Sequence, residues 1–296
     1  MRAAAFEKPG PPEVLREMEV PTPHAGAGEV RVRVRAAGVQ PYDCAVREGW
    51  NPAGAPPGFP RIPGNEFAGV VDQVGAGVTD AREGQEVIGF GMLGAYAEYI
   101  VVPAEHVTAK PAGMPWEVAG GFSAGAQTAH IALLELGLAK GDTLLIHGAA
   151  GAVGTVAVQL GVAWGATVIG TAAPANHDYL RGLGAVPVSY GQGLASRVRD
   201  VAPQGIDAVL DGAGGEALDV SLGLTGNVLT LVDHGREGVK VTPPLRSRER
   251  LAELAGMYAD GLLRVHVRAA YPLARAADAH RDVGSGHGRG KVVVTL

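Results

Sequence analysis

Thr143-Leu144-Leu145-Ile146-His147-Gly148-Ala149-Ala150-Gly151-Ala152-Val153-Gly154 is the stretch that decides the fold. Thr143 to His147 is a short apolar run of strand length, and Ala152 to Ala163 is an apolar run of helix length. Small residues join them. A glycine-rich turn between a buried strand and a helix is a far stronger signal than the glycines alone. Small side chains let the backbone approach a pyrophosphate, and the helix start offers unpaired N–H groups and the positive end of its dipole. Gly148, Ala150, Gly151, Ala152, Val153 and Gly154 are therefore the expected phosphate cradle, with Gly154 allowing helix and strand to pack closely. The plainer alternative is a Gly/Ala-rich turn in a Gly/Ala-rich protein. The surrounding strand–helix units argue against it.

Those units run outward in both directions. Trp116 to Leu136 reads as helix with a glycine interruption. After the turn come a strand at Thr167 to Gly170, a helix at Asn176 to Leu183, and a strand at Val186 to Val188. A helix at Leu194 to Val201, a strand at Ala208 to Asp211 and a helix at Glu216 to Leu222 follow. Val228 to Val232 is the next strand, and Arg248 to Tyr258 the last helix. This alternation predicts an α/β fold, a doubly wound parallel sheet covered on both faces.

Residues 1 to about 115 have a different texture. Val30 to Arg35 alternates valine with arginine, the period of a half-buried strand. Short apolar runs at Gly69 to Val74, Glu86 to Gly89 and Tyr96 to Val102 are separated by Pro- and Gly-rich turns, which predicts a compact β domain. From about Leu263 strands return, ending at Lys291 to Leu296. The expected domains are 1–116 with 264–296, and 117–263 inserted between them.

Composition narrows the function classes. The chain has 296 residues and a formal net charge of -5, so no basic footprint for nucleic acid or anionic lipid is expected. Its single cysteine, Cys44, excludes a disulfide within the chain and any zinc site built from several thiolates. No signal-like start and no apolar run of roughly 18 residues is present, and the expectation is a soluble cytoplasmic protein.

Cofactor choice is read at the end of the second strand. An NAD enzyme commonly carries Asp or Glu about 20 residues beyond the glycines, on the ribose 2′-OH. Here Gly170-Thr171-Ala172-Ala173-Pro174 is neutral, which would not repel a 2′-phosphate. Asn176, His177 and Arg181 follow as possible contacts, although Arg181 reads equally well as a solvated helix residue. NADPH is the expected cofactor.

Several further stretches carry a resemblance over nearly the whole chain. They are Ala37-Gly38-Val39-Gln40-Pro41-Tyr42-Asp43, Pro63-Gly64-Asn65-Glu66-Phe67-Ala68-Gly69, Val209-Leu210-Asp211-Gly212-Ala213-Gly214-Gly215 and Arg289-Gly290-Lys291. With the phosphate turn, they resemble the zinc-independent quinone oxidoreductase branch of the medium-chain dehydrogenase/reductase superfamily. The resemblance implies a Rossmann-like domain inserted into a GroES-like substrate domain, NADPH between the two, and commonly a homodimer. It also implies Thr128, Thr171, Tyr190 and Lys291 near the cofactor, with Gly212, Ala213, Val232 and Asp233 around the nicotinamide. Tyr190 has an ordinary reading too, as a half-buried strand tyrosine. Zinc-dependent relatives carry Cys where this chain has Gln40 and His where it has Asn65, so zinc catalysis is not expected. Departures from the quinone branch at Gln40 and Ala45, and a short 233–245 segment, put reduction of a simple quinone in doubt.

Without a metal, hydrogen bonds must stabilise the developing oxyanion, which suits hydride addition to a quinone or to the activated C=C of an enone or enoyl group. Tyr42 is the candidate proton donor, or else a packing residue beside Pro41. Gln40 is the candidate for orienting substrate or the nicotinamide ribose. Glu66 reads as a structural carboxylate serving the N–H groups of its Gly-rich turn, and His147 as a satisfied core histidine. Two alternatives stand beside the small-molecule reductase. One is an enoyl reductase tailoring a polyketide intermediate. The other is a non-catalytic NADPH-binding sensor or crystallin-like protein.

Overall fold

The computed structural model describes all 296 residues, Met1–Leu296. Its chain divides into two compact units, Met1–Ala124 with Ser247–Ala259 and Val267–Leu296, and Gly125–Arg246 with Asp260–His266.

The second unit is built on a six-stranded parallel sheet. Its spatial order is Val186–Val188, Thr167–Thr171, Thr143–His147, Ala208–Asp211, Val228–Thr230, Lys240–Val241. Counted along the chain within the unit, that is third, second, first, fourth, fifth, sixth. The order reverses between Thr143–His147 and Ala208–Asp211, the switch point of a doubly wound sheet. Leu144, Leu145, Ile146, Val209 and Leu210 are buried, as strands covered on both faces require. The helix Ala152–Ala163 is apolar almost all round and mostly buried. Helix Leu194–Val201 is amphipathic instead, burying Leu194 and Val198 four residues apart against Leu145, Ile169 and Val209.

The first unit holds a seven-stranded sheet. Its longest strand, Glu29–Val39, pairs antiparallel with Glu66–Val74, Tyr99–Pro103 and Lys291–Thr295. Val30, Val32 and Val34 point into the core. On the opposite face Arg31 forks onto both carboxylate oxygens of Asp72 at 3.0 Å and lies over the Tyr99 ring. Strand Val267–Pro272 pairs parallel with Lys291–Thr295, so the C-terminal segment completes this sheet. No helix is long and apolar enough to cross a membrane.

Several details differ from the sequence expectation. Trp116 to Leu136 is two helices, Trp116–Gly120 and Ser123–Glu135. At Gly120 a Cβ would lie 2.5 Å from that of Ala36, and the close approach ties this segment to the first unit. Helix Arg248–Ala259, expected inside the 117–263 insert, also packs with the first unit. Arg248 donates to the carbonyls of Val107 and Ala104 and pairs with Asp80, and Tyr258 meets Phe122 edge-on. Strand Val228–Thr230 stops two residues early. The segment after Leu263 contains a helix, Ala276–Gly284, as well as strands.

Candidate functional site

The phosphate turn is set by backbone geometry. Gly148 takes a left-handed φ of 69°, which favours glycine. Ala149 N–H donates to Thr171 O at 3.1 Å and Gly151 N–H to Gly148 O at 2.9 Å, closing the turn against the second strand. Gly151 then starts the helix with no side-chain cap, so the first amides of Ala152 and Val153 are left for a ligand. Gly154 has no room for a side chain. A Cβ there would sit 2.4 Å from Gly148 O and 2.6 Å from Ala149 Cα. Uncapped amides behind a turn that only glycine can form make a fitting cradle for a dinucleotide pyrophosphate.

His147, at the end of the first strand, is fully enclosed. Ser221 Oγ donates to Ala217 O at 2.8 Å, so it accepts from His147 Nε2–H at 2.9 Å. The other ring nitrogen, Nδ1, then accepts from the Thr171 hydroxyl at 3.0 Å. Burial pushes the ring down to a pKa of about 4, against the pull of the nearby Asp211 charge. The expected core histidine is therefore neutral. It also takes the Thr171 hydroxyl, which the resemblance had put near the cofactor. Thr171 is buried, with its hydroxyl on His147 and its carbonyl accepting from Ala149 N–H.

Beyond the second strand no carboxylate follows until Asp178, which pairs with Arg181 at 2.5 Å on the surface. Asn176 and His177 are half-buried, and His177 Nε2 lies 3.3 Å from Ala172 O and 3.5 Å from Ser189 Oγ. Tyr190 is not a half-buried strand residue. It is 55% exposed, on a loop after Val186–Val188. Arg197 holds that loop, donating to the carbonyls of Ser189, Tyr190, Gly191 and Gln192. Thr128 is half-buried on helix Ser123–Glu135.

The two loops at the carboxyl ends of the fourth and fifth strands carry Gly212, Ala213, Val232 and Asp233. All but Asp233, which is half-buried, are exposed. Beneath them Asp211 accepts from the amides of Ala213 and Gly214 and from the Thr230 hydroxyl at 2.8 Å. Thr230 Oγ1 accepts in turn from Val232 and Asp233 N–H, each at 3.2 Å. These captured amides are why the strand ends at Thr230. The sequence marks Asp211 only as a strand end, and nothing in it signals Thr230.

In the first unit a buried polar cluster surrounds Gln40. Its amide nitrogen donates to Glu66 Oε1 at 2.6 Å, and Lys291 Nζ lies 2.5 Å from the same oxygen. Glu66 Oε2 accepts from Ala124 N–H at 2.6 Å. Gly38 is glycine because a Cβ would fall 1.9 Å from Glu66 Oε1. Glu66 is thus a structural carboxylate, but it does not serve its own turn. Gly64 N–H goes to Asp43 Oδ1 at 3.0 Å, while Asp43 Oδ2 accepts from Gln40 N–H and Tyr96 OH. Burial raises the Asp43 carboxyl to about 7, with the Lys291 charge pulling the other way. Lys291, expected beside the cofactor, is 1% exposed and committed to Glu66. One N–H of the Gln40 amide is likewise committed, to Glu66. Tyr42 stays half-buried, edge-on to Trp50 at 5.1 Å, and its hydroxyl donates weakly to Met92 O at 3.3 Å. No group of three or more His, Cys, Asp or Glu side chains is arranged to hold a metal ion.

Residues 26–112 match the alcohol dehydrogenase GroES-like domain, and 183–294 match a zinc-binding dehydrogenase domain. Over 98% of its length the chain is 31% identical to a quinone oxidoreductase of Pseudomonas aeruginosa, covering 98% of that protein. The chain belongs to the quinone oxidoreductase family of medium-chain dehydrogenases/reductases. The Escherichia coli quinone oxidoreductase complexed with NADPH superposes over the whole of both chains with a TM-score of 0.86 at 26% identity. An NAD-dependent alcohol dehydrogenase does so with 0.91 at 28%. This quinone oxidoreductase family member is also 35% identical, over 97% of its length, to pikromycin polyketide synthase component PikAII of Streptomyces venezuelae. It spans only 8% of that protein. That family is one of oxidoreductases. The placement of the chain among these relatives agrees with the Rossmann-like and GroES-like architecture that the resemblance implied.

Proposed function

We propose that this chain is an NADPH-dependent, zinc-independent reductase that delivers hydride to a quinone or to the activated C=C of an enone or enoyl substrate. The observation that carries the cofactor is the uncapped helix start at Gly151, packed on Gly148 through a Gly154 with no space for a Cβ. Ala150, Ala152 and Val153 would hold the pyrophosphate by their amides, with Gly151 N–H closing the turn on Gly148 O. The absence of a carboxylate between Thr171 and His177 favours a 2′-phosphate over a bare ribose. When bound, the cofactor supplies hydride. Gly212, Ala213, Val232 and Asp233 would border the ring that carries it.

The residues then have separate tasks. Glu66 and Lys291 neutralise one another and fix the Gln40 amide, leaving Gln40 as a brace of the substrate domain. Tyr42 would supply the proton, because its hydroxyl lies in an exposed position and donates to Met92 O across a long 3.3 Å bond that a substrate oxygen can replace. With a lone cysteine and no metal cluster, charge developing on that oxygen is met by hydrogen bonds. Mixing the purified chain with NADPH and a panel of benzoquinones, naphthoquinones and enones tests this reading. Acceptor-dependent loss of NADPH absorbance is expected. Tight binding without turnover on any acceptor would instead favour a non-catalytic NADPH-binding protein.

A second reading is favoured by the match to PikAII. Here the substrate is an enoyl thioester of a polyketide-type chain. Crotonyl and longer 2-methyl-enoyl thioesters in the same assay separate the two, through the ratio of kcat/KM for thioester to that for quinone.

A further inference from the structure

The backbone amides of the two sheet-end loops are all spoken for. Gly212 N–H donates to His147 O at 3.2 Å, Ala213 N–H to Asp211 Oδ1 at 3.0 Å, and Gly214 N–H to both Asp211 oxygens at 2.9 and 3.2 Å. On the next loop Leu231 N–H donates to Asp211 O at 2.8 Å. Val232 and Asp233 N–H both end on Thr230 Oγ1. A threonine hydroxyl has one proton and two lone pairs. Thr230 uses all three, giving the proton to Asp211 Oδ2 and taking one amide on each lone pair.

We infer that Asp211 and Thr230 are positioning residues whose side chains turn the amides of Ala213, Gly214, Val232 and Asp233 inward, alongside those of Gly212 and Leu231 held on the His147 and Asp211 carbonyls, so that these loops read the nicotinamide carboxamide through its NH2 group and not through its oxygen. The inference rests on the cofactor reading above. Its physical basis is a count. With the amides spent inside the protein, the loop backbone keeps carbonyl oxygens as its only polar groups. A carbonyl can accept from the carboxamide NH2 and has nothing to give its oxygen. Asp211 and Thr230 pair across neighbouring parallel strands in register, Asp211 opposite Thr230, so the brace is as rigid as the sheet. Neither touches the reacting atoms. They act by fixing which way two loops present their peptide groups, and orientation of this kind is lost steeply when a positioning group is removed.

The test uses two coenzyme analogues with the whole chain. The 3-acetylpyridine analogue of NADP replaces the NH2 by methyl, and the thionicotinamide analogue replaces the oxygen by sulfur, a poor acceptor. Calorimetry should show the first binding about tenfold more weakly than NADP, one hydrogen bond's worth, and the second within about threefold. Equal loss for both analogues, or a larger loss for the thio analogue, overturns the inference. Thr230→Val frees the amides of 232 and 233 and should erase this preference and slow hydride transfer, while 2′,5′-ADP binds as to the parent. Thr230→Ser should restore both. A Thr230→Val protein that keeps the parent's preference also overturns it. Failure of the unmodified chain to bind 2′,5′-ADP would instead remove the cofactor reading itself.

Discussion

Lys291 Nζ lies 2.5 Å from Glu66 Oε1, and neither side chain reaches the surface. A buried pair is costly to break because the survivor is left charged and unmatched. Lys291→Met is expected to destabilise the chain by about 3–5 kcal/mol in urea unfolding. Lys291→Met combined with Glu66→Gln should cost clearly less than the two single changes added together. Strict additivity would show that the two groups do not act as a pair.

Gly154 and Gly151 should behave differently. A Cβ at Gly154 runs into Gly148 O at 2.4 Å, whereas one at Gly151 meets only that oxygen at 3.2 Å, with φ at an ordinary -73°. Gly154→Ala is therefore expected to disrupt the turn, lowering both thermal stability and NADPH affinity. Gly151→Val should keep the parent's circular dichroism and melting temperature yet weaken NADPH at least about tenfold. Unchanged affinity in Gly151→Val would place the pyrophosphate elsewhere.

Three buried groups set the acid response. His147 and His280 fall from 6.5 to about 4 and about 3, both chiefly through burial, so the unfolded chain takes up their protons first. Stability from these two is complete above 6.5 and is lost as pH falls toward 4. Asp43 works the other way. Its carboxyl rises from 3.8 to about 7, so its contribution is greatest at low pH and is lost as pH climbs through that window. Two histidines against one carboxyl leave unfolding coupled to uptake of one proton between pH 4 and 6.5. That is a stability slope of about 1.4 kcal/mol per pH unit. Asp43→Asn should lower stability overall and roughly double the slope, as followed by urea unfolding at a series of pH values. A slope that flattens in Asp43→Asn would contradict the assignment.

Tyr42→Phe isolates the proposed acid. The ring keeps its edge-on contact with Trp50 and loses only the hydroxyl aimed at Met92 O. A drop of about 10²-fold in kcat with little change in stability is the expected result. A change under threefold would assign the proton to another group or to water.

Much of the second unit was legible in its sequence because most strands and helices there agree with their own periodicity, although the two-residue edge strand Lys240–Val241 is too short to show one. Leu194–Val201 is an instance, with boundaries read to the residue. Helix Pro41–Glu48 was not, since its N-cap is Gln40, outside the usual capping residues, and its start is marked only by Pro41 and by Asp43 in the first turn. Helix Ala276–Gly284 hid because its inward stripe, Ala276, Ala279, His280 and Val283, is built mostly of alanine and histidine, which carry a weak hydrophobic signal. The phosphate turn could be read because it is local in sequence. Pairings such as Lys291 with Glu66, or Thr230 with Asp211, join residues that only the folded sheet brings together, and no spacing rule reports them.

Cys44 lies against helix Ala276–Gly284 with its Sγ directed at His280 O, and burial lifts its thiol to a pKa of about 12. Quinones and enones are soft electrophiles that alkylate thiolates, and at neutral pH almost none exists here. A thiol so placed would resist alkylation by any Michael acceptor that reached it.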